Sequence, residues 1–175
     1  MVSLRDTLPA TITTERLVLT TPVLAHAPEM AELANNPLIY QVLARLPHPY
    51  EREHAHAFIQ TIARGPENFA WAILHNTKFL GVIGLHLLPD EQPELGYWLG
   101  QPFWGQGFAT EAATAVVAAA RAAGYSALRS RALLANAGSR NVLRKAGFSE
   151  ISQGIDPNGT LKGRPVARLL LEFAP

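Results

Sequence analysis

The residues best placed to do chemistry form a short glycine loop, Gly105-Gln106-Gly107-Phe108-Ala109-Thr110, that runs straight into an alanine-rich stretch of strong helix propensity. Glycines let a backbone approach a ligand closely. The first N–H groups of a helix have no intrahelical acceptor, and the helix dipole favours negative charge there. The amides from Gly105 to Thr110 are therefore candidate donors to a phosphate. A P-loop would close on Gly-Lys-Ser/Thr, which is absent here. A dinucleotide fingerprint would need a third small residue and an acidic residue about 20 positions on. The loop instead ends in Thr110, and no Asp or Glu occurs between Glu111 and Glu150.

Other chemistries find less support. The 175 residues include no cysteine, which removes disulfides, thiolate metal sites, iron–sulfur clusters and a cysteine nucleophile. His54 and His56 are two apart, so on a helix they diverge rather than converge on a metal. Fifteen Lys+Arg against 14 Asp+Glu leave a net charge of +1, which argues against a nucleic-acid binder. No apolar run approaches the ~18–20 residues of a membrane span, and the N-terminal residues are not of signal-peptide type. The expectation is a cytoplasmic protein with neither membrane nor nucleic-acid partner.

The elements that must position the loop can be read from periodicity and turn chemistry. Residues 15–21 suggest a first strand, Pro28 to Leu33 a helix, and Glu51 to Arg64 a second helix with Ala55, Phe58, Ile59 and Ile62 on one face. Phe69–Leu74, Phe79–Leu88 and Glu94–Leu99 read as an antiparallel meander. The loop follows, then a helix from Ala109 to Ala123 closed by Gly124. Leu128–Leu134 reads as a strand, Ser139–Ala146 as a helix, and Phe148–Ile151 and Val166–Phe173 as strands. With no repeat or linker, residues 1–175 read as one α+β (mixed α/β) domain.

Two strings carry a resemblance. Trp104-Gly105-Gln106-Gly107-Phe108-Ala109-Thr110-Glu111 and the later Asn136-Ala137-Gly138-Ser139-Arg140-Asn141-Val142-Leu143-Arg144-Lys145-Ala146-Gly147-Phe148 resemble, in order and distance, the GNAT N-acetyltransferases, particularly their ribosomal-protein N-terminal acetyltransferase branch. Thr14-Glu15-Arg16-Leu17 is similar to the opening strand of that branch. Trp104 stands where the wider family has Gln or Arg, and Leu143 where many relatives have the Tyr that protonates the leaving thiolate.

The resemblance implies a mixed, mostly antiparallel sheet whose fourth and fifth strands splay apart, with helices on both faces. It implies acetyl-CoA as cofactor and a primary amine, either a protein N-terminus or a small molecule, as acceptor. Backbone around Trp98 and Leu99 would pair with the pantetheine arm, and the pyrophosphate would sit on the amides of Gly105, Gln106, Gly107, Phe108, Ala109 and Thr110. Asn136, with Ser139 and Asn141 nearby, would meet the cofactor from the facing side. Glu94 is the first candidate for general base and His86 the second, with Ser139 the nearest proton donor. The absent Tyr keeps a non-catalytic acyl-CoA-binding domain as the alternative. The Leu38–Tyr50 segment and the 152–165 loop are expected to frame the acceptor, in a monomer or homodimer.

Overall fold

Eight strands form one sheet, in the order β1-β2-β3-β4-β5-β6-β8-β7. The computed structural model describes residues 3–174. The strands are β1 (Ile12–Thr13), β2 (Val18–Thr20), β3 (Asn68–His75), β4 (Lys78–His86), β5 (Glu94–Leu99), β6 (Ala127–Leu133), β7 (Ser149–Ile155) and β8 (Pro165–Glu172). Every neighbouring pair is antiparallel except β5 and β6. The helices are α1 (Ala27–Ala34), α2 (Pro37–Tyr40), α3 (Arg52–Ala57), α4 (Phe108–Ala123) and α5 (Ala137–Lys145).

Each face of the sheet has its own core. On one, Trp71, Ile83, Leu95, Leu128 and Leu169 meet a stripe of α4 made of Phe108, Ala112, Ala113, Val116 and Ala120. Steps of one, three and four residues keep one side of the helix inward, and the small alanines bring its axis close to the strands. On the other face, Ala70, Ala72, Phe79 and Val82 pack under Met30 and Ala34 of α1 and Ala55 of α3. A smaller cluster joins Leu133 and Val166 to Leu161, with Val42 and Ala44 against it. The Leu38–Tyr50 and 152–165 segments therefore meet, tied further by the Thr160 hydroxyl donating to the Leu43 carbonyl.

The mixed α/β architecture is the expected one, with differences at the edges of elements. The second helix is regular only to Ala57 and continues as a π-type stretch, Phe58–Ile62. The helix expected from Ser139 starts at Ala137, because Asn136 caps it. β7 runs four residues beyond Ile151, carried past Gly154 by its pairing with β8.

The feature that positions the site lies at the only parallel pair among the described residues. β5 and β6 share a single register position, Glu94 opposite Arg129. The Arg129 amide donates to the Pro93 carbonyl at 2.9 Å, and the Ser130 hydroxyl to the Leu95 carbonyl at 2.8 Å. Beyond Leu95 no hydrogen bond joins the two strands among the described residues. They splay apart toward Leu99 and Leu133.

Candidate active site

Strand alternation determines which backbone groups face the opening. The Gly100 amide donates to the Leu80 carbonyl at 2.8 Å, so the backbone of Gly100 and, two residues back, of Trp98 turns to β4. The backbone groups of Tyr97 and Leu99 then face the gap. The Leu99 carbonyl is already held by the Trp104 indole N–H at 2.6 Å. Trp104 thereby pins the glycine loop to the end of β5. The Trp98 ring lies on the α1/α3 face, edge-on to Phe79 at 6.0 Å.

The loop itself requires glycine at two places. Gly105 (φ 74°) and Gly107 (φ 81°) are left-handed, and Gly107 forms the N-cap of α4. The first amide bonded back to the loop is that of Glu111, to the Gly107 carbonyl at 3.0 Å. The amides of Gly105, Gln106, Gly107, Phe108, Ala109 and Thr110 have no acceptor among the described residues. The expected donors thus come together at the mouth of the splay, at the positive end of a 16-residue helix.

A clasp holds this loop from outside. Glu111 accepts from the Thr14 hydroxyl (2.7 Å), the Arg16 amide (2.9 Å) and the Arg16 Nε (2.7 Å). Arg16 also donates through Nη1 to the Gln106 carbonyl at 2.8 Å and lies over the Phe108 ring at 4.5 Å. Burial pushes the Glu111 carboxyl upward, but the bonds from Thr14 and Arg16 and the charge of Arg16 outweigh it and hold it below 4.5. The sequence shows both strings, Thr14-Glu15-Arg16 and Thr110-Glu111, but not that they clasp each other. Arg16 is a site residue that the sequence did not single out.

Across the cleft, α5 presents Asn136 and Ser139. Asn136 Oδ1 accepts from the Ser139 amide at 3.1 Å, so the carboxamide oxygen serves as a helix cap while its NH2 has no partner among the described residues. The Tyr97 hydroxyl reaches from β5 to the Ser139 hydroxyl at 3.3 Å, closing the cleft floor. Burial raises the Tyr97 phenol above 10.0, and the bond to Ser139 opposes that shift. Leu143 is buried in the core, 1% exposed. Asn141, two positions and roughly 200° of helix turn on from Ser139, is not brought to the cleft. It accepts from Arg144 at 2.7 Å and lines a groove between α5 and β7. Arg140 is occupied structurally, by a two-pronged pair with Glu150 (2.6 and 3.0 Å) and a bond to the Leu134 carbonyl.

Glu94 and His86 are register partners on β5 and β4, on the sheet face opposite Ser139. Burial, then the charge of Arg45, push the His86 imidazole below 6.5, against the opposing influence of Glu94 and Glu67. Its Nδ1 lies 3.2 Å from Asn68 Oδ1. The Glu67 backbone also hydrogen-bonds the ring. Three guanidiniums surround Glu94: Arg131 at 3.5 Å, Arg129 at 3.6 Å and Arg45 at 4.0 Å. None is within hydrogen-bonding distance, and the Glu94 side chain is 17% exposed. Arg129 and Arg131 are neighbours on one side of β6 while Arg45 comes from a distant segment, and no local motif marks the three.

A splayed mixed sheet with a free-amide loop at its mouth is the architecture that the sequence resemblance implies, and the family comparison agrees. The model of the acetyltransferase (GNAT) domain matches residues 16–149, and the chain belongs to that acetyltransferase family. A search of curated proteins by sequence found no match. Among solved structures, the chain is similar to the microcin self-immunity acetyltransferase MccE in complex with acetyl-CoA and AMP, at 21% identity and a TM-score of 0.81, covering 95% of this chain and 99% of that one. It is also similar to RimL, a ribosomal L7/L12 α-N-protein acetyltransferase in complex with coenzyme A, at 17% identity and a TM-score of 0.80, covering 95% and 97%. A third is a putative ribosomal-protein-serine acetyltransferase from Vibrio cholerae, at 18% identity and a TM-score of 0.79, covering 95% and 99%. At these identities the likeness is one of fold. No helix among the described residues is long and apolar enough to cross a membrane.

Proposed function

We propose that this enzyme transfers the acetyl group of acetyl-CoA to a primary amine by direct attack in a ternary complex, within the branch that includes the ribosomal-protein N-terminal acetyltransferases. One observation carries most weight. Six consecutive backbone amides without protein acceptors, shaped by two left-handed glycines, stand where β5 and β6 part. A diphosphate fits that cradle, because anions are held by helix N-termini and backbone donors. The backbone of Tyr97 and the Leu99 N–H would bind the pantetheine amides. The Asn136 NH2 would close from the α5 side.

Acetyl-CoA supplies an acyl group activated as a thioester. The chain's residues orient the acceptor and move its proton. An amine attacks only when neutral, and an α-amino group with a pKa of roughly 7.7–8.0 needs modest help. Glu94, on β5 just before the strands part, takes that proton directly or through a water. His86, neutral at pH 7, is the neighbouring acceptor. On the opposite face Ser139, backed by the Tyr97 phenol, is the hydroxyl placed to donate to the departing thiolate. Base and donor thus flank the cleft from opposite faces of the sheet.

The test is acetyl-CoA with a panel of peptides and small amines, read by thiol release and by a mass gain of one acetyl group on the acceptor. Transfer to at least one amine supports the proposal. Tight acetyl-CoA binding with no transfer to any member would instead fit the non-catalytic alternative.

A further inference from the structure

We propose that the acceptor is an amine carrying its own anion, a carboxylate or phosphate a few bonds from the nitrogen, gripped by Arg45, Arg129 and Arg131. This rests on the acetyl-transfer reading above and names its substrate class. The three arginines stand around Glu94 at 3.5–4.0 Å without hydrogen-bonding to it, so the facing donors are held by charge and not by a hydrogen bond to the carboxylate. Arg129 Nε is buried with no hydrogen-bond partner, Glu94 lying 3.6 Å away, which leaves a desolvated charged donor without a hydrogen bond. Arg45 is 55% exposed, and among the described residues its one ion pair is the 4.0 Å approach to Glu94. It is delivered by a segment anchored through the Arg164 and Thr160 side chains to the Gln41 and Leu43 carbonyls. A tethered loop that ends in a loosely paired cation suits a ligand contact better than a structural one.

The charges around the site point the same way. Arg131 is paired with buried Asp156 at 2.7 Å, and Arg129 with Glu91. Opposite Arg131 in register, β8 places a second arginine, Arg168, with its head group over Gly154. Like charges at facing positions destabilise a sheet. Asp156 offsets the charge of Arg131, whereas Arg168 forms no ion pair among the described residues. When Glu94 takes the proton of the attacking amine, its own charge is lost and the guanidiniums beside it lose a counter-charge. An anion on the acceptor restores the balance at that moment, whereas a polyamine would add further positive charge.

Matched acceptors test this: serine against serinamide, O-phosphoethanolamine against ethanolamine, and spermidine as the cationic extreme. Values of kcat/KM are corrected to the neutral-amine fraction of each. The anionic member should exceed its neutral partner by tenfold or more in at least one pair, and which pair responds tells carboxylate from phosphate. Arg45→Gln and Arg129→Gln should each shrink that ratio toward one. Equal or reversed preferences across both pairs, or a preference untouched by both variants, would overturn the proposal while leaving acetyl transfer intact. Calorimetric binding of the same pairs to the CoA complex reads the discrimination without turnover. If no member is acetylated and the anionic ones bind no more tightly, this inference fails together with the choice of acceptor.

Discussion

At the mouth of the cleft where α4 begins, the proposed contacts are backbone amides from six consecutive residues, clasped from outside by Thr14, Arg16 and Glu111. On the Glu94 face they are charged side chains from β5, β6 and the Leu38–Tyr50 segment, gathered by the sheet and held at 3.5–4.0 Å. The first region is specified locally and reads the shape of a diphosphate. The second is specified by the fold and reads charge. One suits a cofactor common to a family, and the other an acceptor that can differ between its members.

The sharpest way to separate the two regions is at Glu94. Glu94→Gln keeps shape and removes the proton acceptor, so turnover should fall by ~10²–10⁴-fold. The acetyl-CoA Kd should stay close to wild type. The deficit should narrow as pH rises from 7 to 10, because more of the acceptor amine is then already neutral. Near-wild-type turnover of Glu94→Gln at every pH would transfer the role to His86, or to a water that needs no protein base.

Arg16→Ala should act in the opposite sense. With the clasp open, the acetyl-CoA Kd should rise about tenfold, the size of one charge-assisted hydrogen bond at ~1.5 kcal/mol. The kcat at saturating cofactor should change little. The same clasp gives a pH signature. Because the Glu111 carboxyl is held below 4.5, its stabilisation is complete above that value and is lost as pH falls through the lower folded value. Acid unfolding of wild type should therefore lie at lower pH than that of a Glu111→Gln variant measured alongside.

Ser139→Ala is the smallest expected change and tells two roles apart. A proton donor gives a severalfold drop in kcat with the acetyl-CoA Kd unchanged. A cofactor contact raises the Kd and spares kcat.

The two regions were not equally legible in the sequence. Gly105 and Gly107 could be read as ligand-approach glycines because a left-handed turn before a helix leaves a compositional trace. The meander and α4 were legible for the same reason, since their periodicities are short. Arg45, Arg129 and Arg131 left no such trace, as convergence of distant side chains depends on β5–β6 pairing at one register position. Tyr97 lay inside a strand pattern and gave no sign of reaching Ser139. Asn141 was grouped with Asn136 by proximity in sequence, whereas helix rotation sends it to the groove between α5 and β7.

The central claim, that the 105–110 amides hold acetyl-CoA, is tested most directly by calorimetry on wild type and Gly107→Val. Gly107 sits at φ 81° with Arg16 3.3 Å from where a Cβ would stand, so a branched side chain both strains the turn and intrudes on the clasp. Wild type should bind one acetyl-CoA per chain, and a Gly107→Val variant with native circular dichroism should bind at least tenfold more weakly. A folded Gly107→Val that binds as tightly as wild type would place the cofactor elsewhere.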